Sequence, residues 1–115
     1  MKTKIYHNPR CKKSREGLQL LEERNIDFEV IKYLENVPSI NELEKLIQML
    51  NIHPIDLIRK NEKIWKESYK PKDLSDSEII YAMHTNPKLI ERPIVVKGDK
   101  AVIGRPIDNI LEFIK

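Results

Sequence analysis

Apolar residues along this chain change their spacing several times, and each change predicts a new element of secondary structure. Residues 3–6 and 28–33 have the short apolar runs and alternation of strands. The segment between them, 12–24, carries Leu18 and Leu21 at helical spacing. Because a helix connects the two strands, we predict a βαβ unit with a parallel strand pair.

The middle of the chain has the periodicity of helices. The segments Ser39-Ile40-Asn41-Glu42 and Ser75-Asp76-Ser77-Glu78 are capping boxes, and each predicts the beginning of an amphipathic helix. A shorter helical stretch is expected to begin near Pro54 and to include residues 57–59. The sequence therefore predicts a helical segment between two regions of strands.

The C-terminal part predicts a β-hairpin followed by a helix. The apolar runs 93–97 and 100–103 flank Gly98-Asp99, a pair that is typical of a hairpin turn. A final helix is predicted to begin at Pro106, since proline suits the first helical position.

The predicted order β-α-β, helices, β-β-α is that of an α/β protein with a thioredoxin-like mixed sheet. The helical insertion, at about residues 38–88, separates the βαβ half from the ββα half. A length of 115 residues fits a single domain over 1–115.

Composition narrows the classes of partner. Charged residues are a third of the chain, but the signs are interspersed and the net charge is only +3, so no nucleic acid is expected as a partner. No apolar stretch reaches the length of a membrane span or signal peptide, and we expect a cytoplasmic monomer. No metal is expected, since His53 and His84 lack partners at a metal-ligand spacing.

Cys11 is the only cysteine, and it lies where the first predicted strand leads into a helix. A helix N-terminus and nearby cations lower the pKa of a thiol, and the cations here are Arg10, Lys12, Lys13 and Arg15. The alternative is an inert, buried cysteine that packs as a small apolar residue. Because one cysteine cannot form an internal disulfide, any oxidation of Cys11 must involve a second molecule.

Three blocks of sequence resemble the glutaredoxin-coupled arsenate reductase family, and the resemblance runs over nearly the whole chain. The blocks are Ile5–Cys11 with Ser14-Arg15, then Leu57-Ile58-Arg59-Lys60, and finally Glu91–Val96 with Ile103-Gly104-Arg105-Pro106.

The resemblance implies that Cys11 is the nucleophile and that Arg59, Arg92 and Arg105 converge on the oxyanion substrate. Arginine suits this role because its rigid, permanently charged fork of donors matches a tetrahedral oxyanion. The resemblance also implies a cis peptide bond before Pro93, with the Arg92 backbone held beside the cysteine.

Two further residues of the first block have candidate roles. His7 matches a family histidine that is thought to favour the thiolate, as a protonated imidazole would, and the alternative is a purely structural histidine that caps the loop. Ser14 stands where dithiol redox proteins carry a second cysteine, and its hydroxyl could donate a hydrogen bond to the thiolate.

The function implied by the resemblance is reduction of arsenate to arsenite, for arsenic detoxification, with glutathione and glutaredoxin supplying the electrons. Glutathione is then a co-substrate, and no tightly bound cofactor is expected. The chain departs from well-studied reductases at Lys12-Lys13, which leaves open a glutathione-dependent thiol oxidoreductase with another substrate. A third alternative is an RNA polymerase-binding regulator like Spx, of the same superfamily, although such proteins carry Cys-x-x-Cys where this chain has Cys11 and Ser14.

Overall fold

The computed structural model describes residues 2–70 and 72–115, and these form two compact units. The first unit combines the chain up to Asn36 with Arg92–Lys115, and the second is Val37–Glu91. The second unit thus falls where the sequence predicts a helical insertion. That the two units form a single domain stays a prediction.

The first unit contains a four-stranded mixed sheet in the order β2-β1-β3-β4. Strand β1 pairs with β2 in parallel, and the pairs β1–β3 and β3–β4 are antiparallel. With helices beside the sheet, this is the predicted thioredoxin-like α/β arrangement. The strands are β1 Thr3–Tyr6, β2 Phe28–Ile31, β3 Ile94–Lys97 and β4 Lys100–Ile103.

The register of the sheet brings three chain segments to the same end of the strands. Tyr6 at the end of β1 lies opposite Ile94 at the start of β3, and Ile94 lies opposite Ile103 at the end of β4. The loop after β1, the residues before β3 and the residues after β4 therefore leave the sheet side by side.

Helices α1 (Lys12–Glu23) and α4 (Asp108–Phe113) pack on this sheet. One cluster of the core consists of a fully buried side chain from each of β1, α1, β3 and α4, namely Ile5, Leu21, Val95 and Ile110. Burying side chains of this size contributes about 1.5–3 kcal/mol each relative to exposure, which fixes the helices against the strands.

The second unit contains helices α2 (Ile40–Leu50) and α3 (Asp76–Thr85), and both predicted capping boxes mark true beginnings of helices. The Ser39 hydroxyl accepts from the Glu42 N–H at 3.1 Å. Ser75 and Glu78 form the reciprocal pair of bonds that defines a capping box.

Residues 58 and 59 are not helical, contrary to the sequence prediction. The helix that begins at Pro54 is a single 3-10 turn, Pro54–Leu57. The Arg59 N–H donates to the Leu89 carbonyl at 2.7 Å, and the Glu91 N–H donates to the Leu57 carbonyl at 2.8 Å. These long-range bonds pair the segment in an extended form with residues 89–91, and local periodicity cannot reveal such a partner.

Two boundaries in the first unit differ from the predictions by two residues. Strand β2 ends at Ile31, because the Lys32 carbonyl accepts from two later N–H groups and begins a turn. The last helix begins at Asp108 and not at Pro106, since the Asn109 N–H donates to the Pro106 carbonyl and the Ile110 N–H to the Ile107 carbonyl, the i→i−3 spacing of a tighter turn. The predicted hairpin is confirmed, with Gly98 at a φ of 66° in the turn.

Candidate active site

Cys11 is the N-cap residue of α1, at the end of a short loop that leaves β1. The Asn8 carbonyl accepts from the Cys11 N–H, and the Asn8 side chain accepts from the Arg10 N–H, both at 3.0 Å. Cys11 in turn offers its carbonyl to the Arg15 N–H at 3.0 Å. These local bonds hold the half-buried thiol at the beginning of the helix.

The surroundings of the thiol favour its ionised form. Partial burial by itself raises the pKa of Cys11, but the Ser14 and Lys13 backbone N–H groups and the Arg92 side chain outweigh it, so the pKa is lowered. From the sequence we expected both the helix N-terminus and the flanking cations to lower this pKa. Backbone donors at the beginning of α1 do lower it, but the charged side chain that contributes most is Arg92, which is distant in sequence.

Arg105 links the thiol to the backbone that precedes β3. Its Nη2 lies 3.4 Å from the Cys11 sulfur, and its Nε donates to the Arg92 carbonyl at 2.8 Å. The structure therefore brings two of the three predicted arginines, Arg92 and Arg105, to the cysteine.

The Arg92 side chain is only 7% exposed, and its Nε has no hydrogen-bond partner among the residues that the structure describes. A buried donor left without a partner costs about 1–3 kcal/mol, and more when it is charged. The charge and hydrogen bonding of the Arg92 side chain act on Cys11, where they lower the pKa of the thiol.

The Arg92–Pro93 peptide bond is cis, the conformation that the resemblance implies. Two glycines allow close packing around Pro93: a Cβ on Gly17 or on Gly104 would lie 2.9 Å from the Pro93 Cγ. The Gly104 N–H also donates to the Pro93 carbonyl at 2.8 Å. From the sequence, Gly104 was noted only as part of the third block and Gly17 was not noted at all. Glycine inside a helix costs about 1 kcal/mol relative to alanine, so Gly17 was a signal of close packing.

His7 and Ser14 are buried together under the cysteine loop. The His7 Nδ1 and the Ser14 Oγ are 2.7 Å apart, and the Ser14 Oγ accepts from the Asn8 N–H at 2.9 Å. Burial lowers the pKa of His7, the charges of Lys32 and Arg15 lower it further, and only a hydrogen bond to Ser14 opposes them. The ring is therefore mainly neutral at pH 7, which favours the structural role of His7 over the protonated one.

Ser14 supports the thiolate in a different way from the one predicted. Its hydroxyl is engaged with His7 and Asn8, and the group that lowers the pKa of Cys11 is the Ser14 backbone N–H. The Ser14 hydroxyl holds the loop in place, and the Ser14 backbone N–H stabilises the thiolate of Cys11.

Arg59 lies in the second unit, about a quarter exposed, between two carboxylates. Its Nη1 is 2.8 Å from Glu62 Oε2, and its Nε is 3.5 Å from Glu91 Oε1. Convergence of Arg59 with Arg92 and Arg105 stays a prediction.

Residues 2–70 and 72–115 hold no group of three or more His, Cys, Asp or Glu side chains that could bind a metal ion. No helix in this part of the chain is long and apolar enough to cross a membrane.

The fold and the site define a thioredoxin-like α/β protein whose single cysteine interacts with the side chains of Arg92 and Arg105. The chain belongs to the ArsC family, whose model matches residues 6–113. This confirms the resemblance inferred from the sequence.

Its relatives include proteins with and without a named activity. The chain is 46% identical to the uncharacterized protein YfgD of Escherichia coli, an alignment that covers 96% of this chain and 95% of the relative. It is 41% identical to an arsenate reductase of Neisseria meningitidis, which covers 93% of both chains. The solved structure of an arsenate reductase from Vibrio cholerae superposes with a TM-score of 0.92 at 47% identity, over 97% of both chains.

Proposed function

We propose that this protein reduces arsenate to arsenite, with Cys11 as the nucleophile and glutathione and glutaredoxin as the electron donors. The observation that carries the proposal is the position of Arg105, which holds the Arg92 carbonyl with Nε and points Nη2 at the Cys11 sulfur. The named activity of relatives at about 40–47% identity supports arsenate as the substrate.

In the first step the Cys11 thiolate attacks arsenic. A sulfur–arsenic bond forms and one arsenate oxygen leaves as water, with protons taken from solvent. The guanidinium groups of Arg105 and Arg92, which both act on the Cys11 sulfur, supply donors for the oxygens that carry the developing charge. Arg59 is proposed as a third donor.

In the second step the thiol of glutathione completes a two-electron reduction. The two sulfurs join as a Cys11–glutathione disulfide while arsenic(V) becomes arsenic(III) and leaves as arsenite. One arsenic acid and two thiols thus give arsenous acid, one disulfide and one water. A thiol of glutaredoxin then reduces the mixed disulfide by exchange and regenerates Cys11.

The remaining site residues hold this geometry. His7 and Ser14 fix the loop so that the backbone N–H groups of α1 face the sulfur. The Arg92 carbonyl accepts from the Arg105 Nε and so orients that guanidinium. We also propose a cytoplasmic location, since that compartment keeps such thiols reduced.

The test is arsenate-dependent NADPH oxidation by the purified protein with glutathione, glutaredoxin and glutathione reductase. We expect Cys11→Ser to abolish turnover and Arg92→Ala to lower kcat/KM by about a hundredfold or more, as loss of one oriented donor does. Arg24→Ala, an exposed arginine at the end of α1, is the matched control and should keep full activity. Full turnover by Cys11→Ser would refute the proposal.

A second candidate is a glutathione-dependent thiol oxidoreductase with another substrate. Lys12 and Lys13 favour it, because both are exposed in the first turn beside Cys11 and would meet a ligand larger than an oxyanion. No arsenate turnover by the wild type, together with fast alkylation of Cys11 at neutral pH, would favour this candidate.

A further inference from the structure

A cleft of about 290 Å³ opens beside the loop that carries Cys11. The loop residues Asn8, Pro9 and Arg10 line one side of the cleft, and Lys32, Leu34 and Glu35 line the other. His7 also lines the cleft, and it and Asn8 help to hold the cysteine loop. The charged side chains of the cleft, Arg10, Lys32 and Glu35, have no role in the proposed oxyanion chemistry.

The charges in the cleft are available to a ligand. Within residues 2–70 and 72–115, no carboxylate lies within 4 Å of the Arg10 guanidinium or the Lys32 ammonium. Glu35 adds a carboxylate, and Leu34 adds apolar surface that is 39% exposed. A ligand with a carboxylate, an ammonium group and a short aliphatic body, as in a small peptide, matches this set of side chains.

The walls of the cleft are held by backbone hydrogen bonds. The His7 N–H donates to the Ile31 carbonyl at 2.8 Å, which joins the two walls at their base. The Lys32 carbonyl accepts from the Glu35 N–H at 3.0 Å and fixes the turn on one side. On the other side the Asn8 side chain accepts from the Arg10 N–H. The cleft is thus formed before a ligand arrives, which lowers the entropic cost of binding.

We infer that this cleft binds a carboxylate of the small peptide thiol that reacts at Cys11, with Arg10 and Lys32 as its cationic partners. The inference rests on the proposed function, in which glutathione is that thiol. Arg10 directly precedes Cys11, with consecutive Cα atoms about 3.8 Å apart, and each residue of an extended peptide spans up to about 3.6 Å. The central cysteine of a tripeptide is one residue from its terminal carboxylate, so we place the thiol at Cys11 and the carboxylate in the adjoining cleft. The cleft then selects among thiols, whereas Arg92 and Arg105 bind the oxyanion.

The test follows thiol exchange at Cys11 without arsenate. Since the chain has one cysteine, Ellman's reagent converts it to a single mixed disulfide with thionitrobenzoate. A thiol that attacks the Cys11 sulfur releases thionitrobenzoate, and this absorbance gives a second-order rate constant. Glutathione is compared with 2-mercaptoethanol, a thiol that carries no carboxylate.

We expect Lys32→Ala and Arg10→Ala each to lower the glutathione rate constant by about threefold to fivefold, as loss of one exposed ion pair would. The 2-mercaptoethanol rate constant should stay unchanged for Lys32→Ala. The ratio of the glutathione rate constant to the 2-mercaptoethanol rate constant should fall for both variants and should fall further for Lys32→Glu. Raising the ionic strength should lower the same ratio in the wild type.

Lys100→Ala is the matched control, because Lys100 is an exposed lysine at the opposite end of the sheet from Cys11. It should leave both rate constants unchanged. Equal losses for both thiols, or no loss for either, would overturn the inference. Because the assay contains no arsenate, failure of arsenate turnover and failure of the cleft inference are separate results.

Discussion

The Nε of Arg105 lies 2.8 Å from the carbonyl oxygen of Arg92, so one arginine holds the backbone of the other. That bond orients the Arg105 guanidinium, and its Nη2 is left facing the cysteine. A lysine at this position has a single ammonium and cannot make both contacts.

We therefore expect Arg105→Lys to raise the KM for arsenate by about tenfold, even though the charge is retained. The measurement is steady-state arsenate reduction, and Arg24→Lys on the surface serves as the control. An unchanged KM would mean that charge alone suffices at this position.

Arg92, and not the flanking lysines, should set the ionisation of Cys11. Replacing Arg92 with methionine keeps most of the side-chain volume but removes a donor and a charge that lower the pKa of the thiol. The pKa of Cys11 should rise in Arg92→Met and change little in Lys12→Met. Thiolate absorbance near 240 nm, followed against pH, measures the pKa of Cys11 in both variants. A larger change of this pKa in Lys12→Met than in Arg92→Met would contradict the structure.

The buried neutral His7 should make the protein less stable in mild acid. Its pKa in the folded state is lowered, so the unfolded chain, with an ordinary histidine pKa of about 6.5, binds the proton first. The free energy of unfolding should then fall as the pH drops below about 6.5, until the folded-state pKa is passed.

His7→Gln should reduce this dependence on pH, because glutamine keeps a polar group near Ser14 but does not titrate. Urea unfolding at a series of pH values measures it, with His53→Gln at an exposed histidine as the control. An identical slope in His7→Gln and the wild type would show that another group is responsible.

Gly104→Ala should destabilise the first unit. The new Cβ would lie 2.6 Å from the Ile110 Cδ1 and 2.9 Å from the Pro93 Cγ, and overpacking of this kind typically costs about 1–3 kcal/mol. Urea unfolding measures the loss. The double variant Gly104→Ala with Ile110→Val removes the obstructing methyl and should recover part of the stability, whereas purely additive losses would exclude this clash as the cause.

The sequence allowed the strands, the main helices and the position of Cys11 to be predicted, because each depends on local periodicity, capping or turn residues. Residues 58 and 59 were wrongly predicted to be helical, since their segment bonds to distant residues. The last helix was predicted, but it begins two residues later than expected because a tighter turn precedes it. The neutral state of His7 depends on burial and on Lys32, which no local pattern records. The cleft beside Arg10 could not be predicted from local sequence, because the residues of its second wall begin more than twenty positions later in the chain.

The register of the sheet determines the spacing between charge and sulfur. Arg105 follows β4, whose alignment with β3 depends on the two-residue turn at Gly98-Asp99. One extra residue in that turn would slide β4 by about 3.3 Å and exchange its faces. That shift is as large as the whole distance from Arg105 to Cys11. The hairpin turn lies at the far end of the sheet, yet its length determines the distance between the Arg105 guanidinium and the Cys11 sulfur.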